Sequence, residues 1–367
     1  MNRLHPLVLS AATLLSTAPL LAQSYPQDLL AVTFSGNAVT LDSRTGVGQI
    51  IGQTGFTGHN CMARNGATLY TTEQVGSGAT AQRFLDTIDD ATGQATRLHA
   101  LTRDLRGLAP RNATTMFAIA DNGSNDDLVR VSTVSGAIVV IGAIGFGSVQ
   151  GLTQHGGLLY GWDLNAGLIR IDATTGVGTD VNPNVGTNGA GIQFLTTMRD
   201  GRVLGGQHSL FEIDVVTGVP DLNGSGQYND LRGAEERFGA IYTFGQGCGA
   251  TLTLVGTPVS PALISTSSTG HLPSTVGLLF IGFNDRNYQG VPLPLNLDNF
   301  LGTVGCFAYA GPDVSSSAVA SPQGILALPI LVPAGAPGFV FHVQHMSLSN
   351  APGGLTFSNG GSVRLQL

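Results

Sequence analysis

The sequence predicts an all-β chain: a β-propeller of five four-stranded blades followed by a small antiparallel β-sandwich. Three observations carry this. A six-residue phrase, clearest as Ile171-Asp172-Ala173-Thr174-Thr175-Gly176, recurs at residues 41–46, 88–93, 131–136 and 213–218. Its closing glycines, Gly46, Gly93, Gly136, Gly176 and Gly218, are 47, 43, 40 and 42 residues apart, and a period of about 40–45 residues belongs to four-stranded propeller blades. The composition then changes: beyond residue 240 only Asp285, Arg286, Asp298, Asp313 and Arg364 are charged.

Each copy of the phrase ends an alternating apolar run, such as Leu168-Ile169-Arg170-Ile171, which marks a half-buried strand. The Asp side chain suits an Asx turn, and the closing Gly suits the positive φ of a short hairpin loop. Asn65-Gly66, Gly156-Gly157 and Asp200-Gly201 mark a second hairpin earlier in the repeat. The unit reads strand a, tight turn, strand b, loop, strand c, Asp-Thr-Gly turn, strand d.

The first copy begins with strand b, at Asp28-Leu29-Leu30-Ala31-Val32. Its missing strand a is expected from the far end. Asp230-Leu231-Arg232-Gly233-Ala234 repeats Asp104-Leu105-Arg106-Gly107-Leu108, so residues 233–238 are predicted to complete blade 1 and close a ring of five blades, shielding the sheet edges; the alternative is an open array or a sixth, irregular blade. The limits read 1–22 for a signal peptide, 23–240 for the propeller and 241–367 for the sandwich. The leader rests on Arg3, the apolar stretch from Leu7 to Leu21 and a small residue, Ala22, before Gln23. No later stretch is long and apolar enough for a membrane span.

The chain has no lysine; all 16 basic residues are arginine, and the net charge is −7. Schiff-base chemistry and a P-loop lysine are excluded, and no basic patch for nucleic acid is present. Of three cysteines, Cys248 and Cys306 are the expected disulfide, both lying in the second unit of an exported chain; Cys61 is expected as a small buried hydrophobe.

The Leu-Tyr…Asp…Thr-Gly repeat resembles those of quinoprotein-type and other secreted bacterial propellers. Trp162 is the sole tryptophan, where quinoprotein dehydrogenases carry one per blade, so quinone binding is not implied. The second unit contains Phe244-Gly245-Gln246-Gly247-Cys248, residues 290–297, Gly302-Thr303-Val304-Gly305-Cys306, Phe341-His342-Val343-Gln344 and Leu355-Thr356-Phe357-Ser358-Asn359-Gly360. These resemble the C-terminal module of secreted planctomycete-type proteins, which implies export and surface attachment or sorting.

No nucleophile elbow, metalloprotease helix or phosphate loop is present. His342 and His345 lie three apart on an expected strand, hence on opposite faces, and read as packing and surface residues. Asp221, Asn223 and Ser225, with Asp230, resemble the opening of a calcium loop, but Arg232 stands where the final acidic ligand belongs; calcium is the one cofactor kept as an alternative to none. The ligand candidates come from topology, because b–c and d–a loops gather at one end of a propeller channel. They are His59, Asn60, Arg106, Gln150, Trp162 and Arg232, with Asp104, Asp163, His208 and Asp230 beside them. Arg106 and Arg232 suit an acidic glycan or, alternatively, bridge neighbouring blades.

The reading is a secreted, periplasmic or cell-surface protein, monomeric and non-enzymatic. Its propeller binds a ligand or protein partner and its C-terminal module serves export or attachment. The alternatives are a five-bladed carbohydrate-active hydrolase or lyase, which needs paired carboxylates, and a structural envelope protein.

Overall fold

The computed structural model of the chain describes residues 26–226 and 228–367; the expected leader, residues 1–22, lies outside the described residues. The turn phrase behaves as its chemistry requires. Asp172 Oδ1 accepts the backbone N–H groups of Thr174 and Thr175, both at 2.8 Å. Asp42, Asp89 and Asp214 accept the equivalent pairs, and Ser132 does so with its hydroxyl. Each closing glycine has φ between +65° and +84°, where a side chain is strained, and its N–H returns to the carbonyl of the Asp or Ser at 2.7–2.9 Å.

Five antiparallel four-stranded sheets result. Lettered from the axis outward, blade 2 is His59–Asn65, Thr68–Val75, Gln82–Ile88 and Ala95–Leu101. Blade 3 is Leu105–Asn112, Thr115–Ala120, Asp127–Ser132 and Ile138–Ala143. Blade 4 is Val149–His155, Leu158–Asp163, Gly167–Ile171 and Gly178–Asp180, and blade 5 is Phe194–Thr197, Val203–Gly206, Ser209–Ile213 and Pro220–Ser225. Blade 1 takes strands b to d from Leu29–Thr33, Asn37–Leu41 and Gly48–Gln53, and strand a from Leu231–Glu236. Leu29 stands opposite Glu236 and Ala31 opposite Ala234. The ring is therefore closed as the repeated Asp-Leu-Arg-Gly suggests.

The five a strands touch in order round the ring, and apolar faces pack blade on blade. Leu29, Val39 and Leu41 of blade 1 meet Phe194, Leu204 and Leu210 of blade 5; Cys61 and Leu85 of blade 2 meet Leu105, Leu108 and Met116 of blade 3. The glycine of the Asp-Leu-Arg-Gly pair has a packing reason. A Cβ on Gly233 would lie 2.4 Å from Met62 N, and one on Gly107 2.9 Å from Leu152 Cβ. Neighbouring inner strands approach this closely only where the side chain is missing.

After Phe238 the chain leaves the ring. Ala240–Phe244 pairs with Gly360–Arg364, opening a sheet that continues through Val340–Leu348, Val276–Gly282 and Val314–Val319, with Leu355–Phe357 added on Val340–Leu348. A second sheet, Thr251–Val255, Ala262–Thr269 and Leu326–Val332, packs on it around Leu252, Ile264, Leu279, Leu326, Phe341, Val343 and Val363. Cys248 and Cys306 form the disulfide; Cys61 is free and buried. His342 and His345 are both buried rather than one facing solvent. His345 belongs to a chain of hydrogen bonds inside the sandwich. Thr266 donates to the Leu328 carbonyl at 2.7 Å, so it accepts from His345 Nε2 at 2.8 Å. Ser268 then serves His345 Nδ1 at 2.6 Å and meets His271 Nε2. Two buried imidazoles are thereby satisfied in their neutral form, as buried polar groups must be.

Candidate functional site

The order of strands sends the b–c and d–a connections to one end of the ring and the a–b hairpins and c–d turns to the other. The sandwich is docked on the turn end. Arg44 in the blade 1 turn meets Asp285 at 3.0 Å. Arg286 reaches Asp200 at 3.3 Å and Ser43 Oγ at 3.3 Å. Arg199 donates to the Gly338 carbonyl at 2.6 Å, and Arg364 pairs with Glu236. Gln366 and residues 257–259 share a groove with Asp89, Asp90 and Ala91 of blade 2. These contacts lie under blades 5, 1 and 2.

At the opposite end, four of the five inner strands carry a β-bulge at the same place. The extra residue is Asn60 in blade 2, Arg106 in blade 3, Gly151 in blade 4 and Arg232 in blade 1. A bulge re-aims the side chain it carries, so three of the sequence-predicted residues are brought to the mouth for one geometric reason. All three are half-buried. Asn60 donates to Asp104 at 2.8 Å. Arg106 lies 3.6 Å from Asp104 and bonds Asp121. Arg232 grips Asp230 at 2.9 and 3.1 Å and reaches Gln193 of blade 5 at 3.2 Å, while Gln207 donates to Asp230 at 2.8 Å. Burial opposes ionisation of Asp230, but the bonds from Arg232 and Gln207 outweigh it and hold its pKa below the usual carboxylate range. Both arginine clusters thus join neighbouring blades, through Asn60 and through Gln193 and Gln207.

Other candidates lie elsewhere. Trp162 is fully buried in the core between blades 4 and 5, against Leu168, Ile192 and Leu195. His59 is fully buried as well, between Thr54 at 2.8 Å and Thr71 at 3.3 Å. Neither presents a surface to a ligand. Gln150 is buried on strand a of blade 4, Asp163 is buried and caps its own loop through Asn165 and Ala166 N–H, and His208 is exposed. The calcium-like stretch is corrected by the fold. Asp221, Asn223 and Ser225 lie along the extended outer strand of blade 5 and not in a loop that could wrap one ion. Asn223 donates to the Ser43 carbonyl at 2.9 Å, and Asp230 is engaged by Arg232.

The cleft between propeller and sandwich gathers buried charge from both units, and sequence reasoning missed it. It measures about 330 Å³, and Asp28, Glu236, Asp285, His342 and Arg364 line it. Asp28 accepts Ser43 N at 2.9 Å and Ser43 Oγ at 2.8 Å; Glu236 accepts Arg364 and, at 3.1 Å, Arg199 N. Burial raises both carboxyl pKa values, with Arg364 opposing the rise. The Phe238 ring sits under Arg199 at 4.3 Å and Arg64 at 5.1 Å. A signal for this interface existed in the sequence: three of the five charged residues beyond residue 240, Asp285, Arg286 and Arg364, are the ones that dock.

Burial also gives the two units opposite responses to acid. In the sandwich it holds the pKa of His342 and His345 down to about 4. An unfolded His titrates near about 6.5, so their contribution to stability is complete above that value and is lost as pH falls towards 4. In the propeller, burial raises Asp42 to about 6 and Asp86 to about 7. These lie above the unfolded value of about 3.9, so the penalty of holding them charged is present at pH 7.5 and is relieved as pH falls; His59, held at about 4 by burial, offsets one of them. Between pH 7.5 and 4.5 the sandwich strands are expected to lose hydrogen-exchange protection while the propeller strands keep or gain it. Segment-resolved exchange, corrected for the intrinsic pH dependence, checks this; equal losses in both units would contradict it.

No family model and no curated protein matches the chain. Solved structures that it is similar to are propeller-like. They include a chain of the nidogen/laminin complex, at 11% identity and a TM-score of 0.38, over 66% of this chain and 89% of that one. TolB from Acinetobacter baumannii aligns at 10% identity and 0.34, over 65% of this chain and 60% of its own. Glutaminyl cyclase from Myxococcus xanthus aligns at 12% and 0.31, over 55% and 75%. Scores this low carry no argument about function. What the chain itself shows is a closed five-bladed propeller with a disulfide-linked β-sandwich docked under blades 5, 1 and 2.

Proposed function

We propose that this is an extracytoplasmic, non-enzymatic propeller that binds a ligand or protein partner at the bulged mouth, with the sandwich as its export or attachment module. One observation carries the reading: the sandwich occupies the turn end of the ring, and the opposite end carries Asn60, Arg106 and Arg232 on matching bulges. The Cys248–Cys306 disulfide supports an oxidising compartment, in line with the leader expected over residues 1–22 and the planctomycete-type module. The two carboxylates of the propeller that face the cleft are engaged, Asp28 by Ser43 and Glu236 by Arg364. They act as docking groups. An acidic glycan at the mouth would compete with Asp121 and Asp230 for the arginines, so a ligand offering both donors and acceptors fits better.

The test is a glycan array and a peptide display screen on the mature protein, with Asn60→Ala, Arg106→Ala and Arg232→Ala combined. Loss of a hit by the variant at unchanged secondary structure is expected. A wild-type hit that persists in the triple variant would exclude the mouth, and turnover of any array glycan would exclude a non-enzymatic role.

A further inference from the structure

The arginines of this chain are mostly matched. Nine of the 15 that are described pair with carboxylates. Of the rest, Arg83, Arg111 and Arg199 bond carbonyl or hydroxyl oxygens and Arg237 lies over the Tyr242 ring; Arg130 and Arg170 have no such partner and no carboxylate among the described residues, and they occupy the same repeat position, each two residues before the first residue of its c–d turn. Arg130 is half-buried, and its Nε is enclosed without a hydrogen-bond partner. At this position blade 5 has Glu212, which faces Arg202 at 3.6 Å. The unmatched pair therefore belongs to blades 3 and 4, the side of the ring the sandwich leaves uncovered.

The space around them is continuous. Arg130 lines a groove of about 390 Å³ with Arg111, Val140 and Ile141, closed by Ala173 and Thr174 of the blade 4 turn. No carboxylate lines it. The same Ala173 and Thr174 form one wall of the next groove, about 400 Å³, which holds Arg170, Leu158 and Val177. Arg111 extends the row, lying over the Phe117 ring at 5.6 Å. The carboxylates near the second groove serve their own turns: Asp172 accepts from Thr174 and Thr175 N–H, and Asp180 from Asn182 N–H. Val139, Val140, Leu158 and Val177 are about half exposed. The outer strand of blade 3, Ile138–Ala143, is the uncovered edge of its sheet and has no polar side chain.

We propose that this double groove binds an extended acidic peptide segment, with carboxylates on Arg130 and Arg170 and aliphatic side chains over the valine and leucine floor. Guanidinium groups without partners select carboxylates by fork geometry, and on a chain of net charge −7 only such local matching can recruit an anion. The floor decides between occupants. Its exposed groups are aliphatic, whereas Tyr160, the ring nearest Arg170, is buried. A sugar would have no aromatic face to stack on, while an extended peptide supplies alternate side chains for charge and for floor.

Fluorescence anisotropy with a labelled twelve-residue Glu/Val alternating peptide tests this on the full chain. Binding is expected to weaken steeply with salt and to fall about 30-fold or more in Arg130→Gln with Arg170→Gln. It should be unchanged in Arg106→Gln with Arg232→Gln, which separates this groove from the mouth. The melting curve of the first variant should match that of the wild type. Failure of the wild type to bind the peptide, undiminished binding by Arg130→Gln with Arg170→Gln, or equal binding of a Gln/Val peptide would overturn the proposal. So would tighter, Arg130-dependent binding of oligogalacturonate, which would assign the groove to a glycan.

Discussion

A chain lacking residues 228–240 is expected to be recovered as aggregate, whereas one ending after Gly239 should yield a soluble propeller. The first deletion removes Leu231–Glu236, the strand that closes blade 1. It leaves Leu29–Thr33, buried along its whole length, as an open apolar edge, the kind of surface that templates aggregation. Leu231 and Phe238 are both buried, and at about 2 kcal/mol each their loss alone is a large part of a domain stability of about 5–15 kcal/mol. The second deletion falls just before Ala240–Phe244, whose ladder partner is Gly360–Arg364, so it removes a whole sheet rather than splitting one. Size-exclusion chromatography and circular dichroism read both outcomes. A monomeric, folded protein from the first deletion would show that the ring does not depend on its closing strand.

Arg364→Met should destabilise the docked sandwich by roughly 3–5 kcal/mol, the range for removing one member of a buried ion pair. Arg364 is buried with Glu236, also bonds the Arg237 carbonyl at 2.7 Å, and lies near Asp28. Without it, Glu236 keeps only the Arg199 N–H at 3.1 Å, and two carboxyl groups remain in a site that already raises their pKa. Glu236→Gln combined with Arg364→Met should recover the part of the loss that comes from the orphaned Glu236 charge, leaving a smaller cost at Asp28, which keeps its two bonds from Ser43. Urea denaturation at pH 7.5 gives the double-mutant cycle. A cost below about 1 kcal/mol for the single change would mean that water reaches the cleft and hydrates the charges.

How far the residues could be read ahead of the structure follows from the range of each interaction. The Asx turns at Asp42, Asp89, Asp172 and Asp214 are local: donor and acceptor lie two or three residues apart, so the sequence alone places them. The closing strand was legible because Asp-Leu-Arg-Gly is written twice. The ligand candidates were read less evenly. Loop position pointed to Asn60, Arg106 and Arg232, which sit on bulges at that end of the ring, but it also brought in His59 and Trp162, which the packing of Thr54, Thr71 and the blade 4–5 core encloses. Whether a side chain at a loop edge turns in or out depends on packing that forms only in the assembled ring, as of Trp162 against Ile192 and Leu195, and no local pattern reports that.

By itself the sequence determined the repeat, its turns, the closure and the disulfide, because period, turn chemistry and cysteine placement are properties of neighbouring residues or of exact repetition. Only the tertiary structure decided where the sandwich docks, that Asp28, Glu236 and Arg364 share one buried cleft, that inner-strand bulges rather than loop tips aim the mouth residues, and that Arg130 and Arg170 stay unmatched while nine other described arginines pair with carboxylates. Each of these is a meeting of surfaces far apart in the chain. The partners are selected by which faces remain after the blades have packed, and that remainder exists only once the ring is closed.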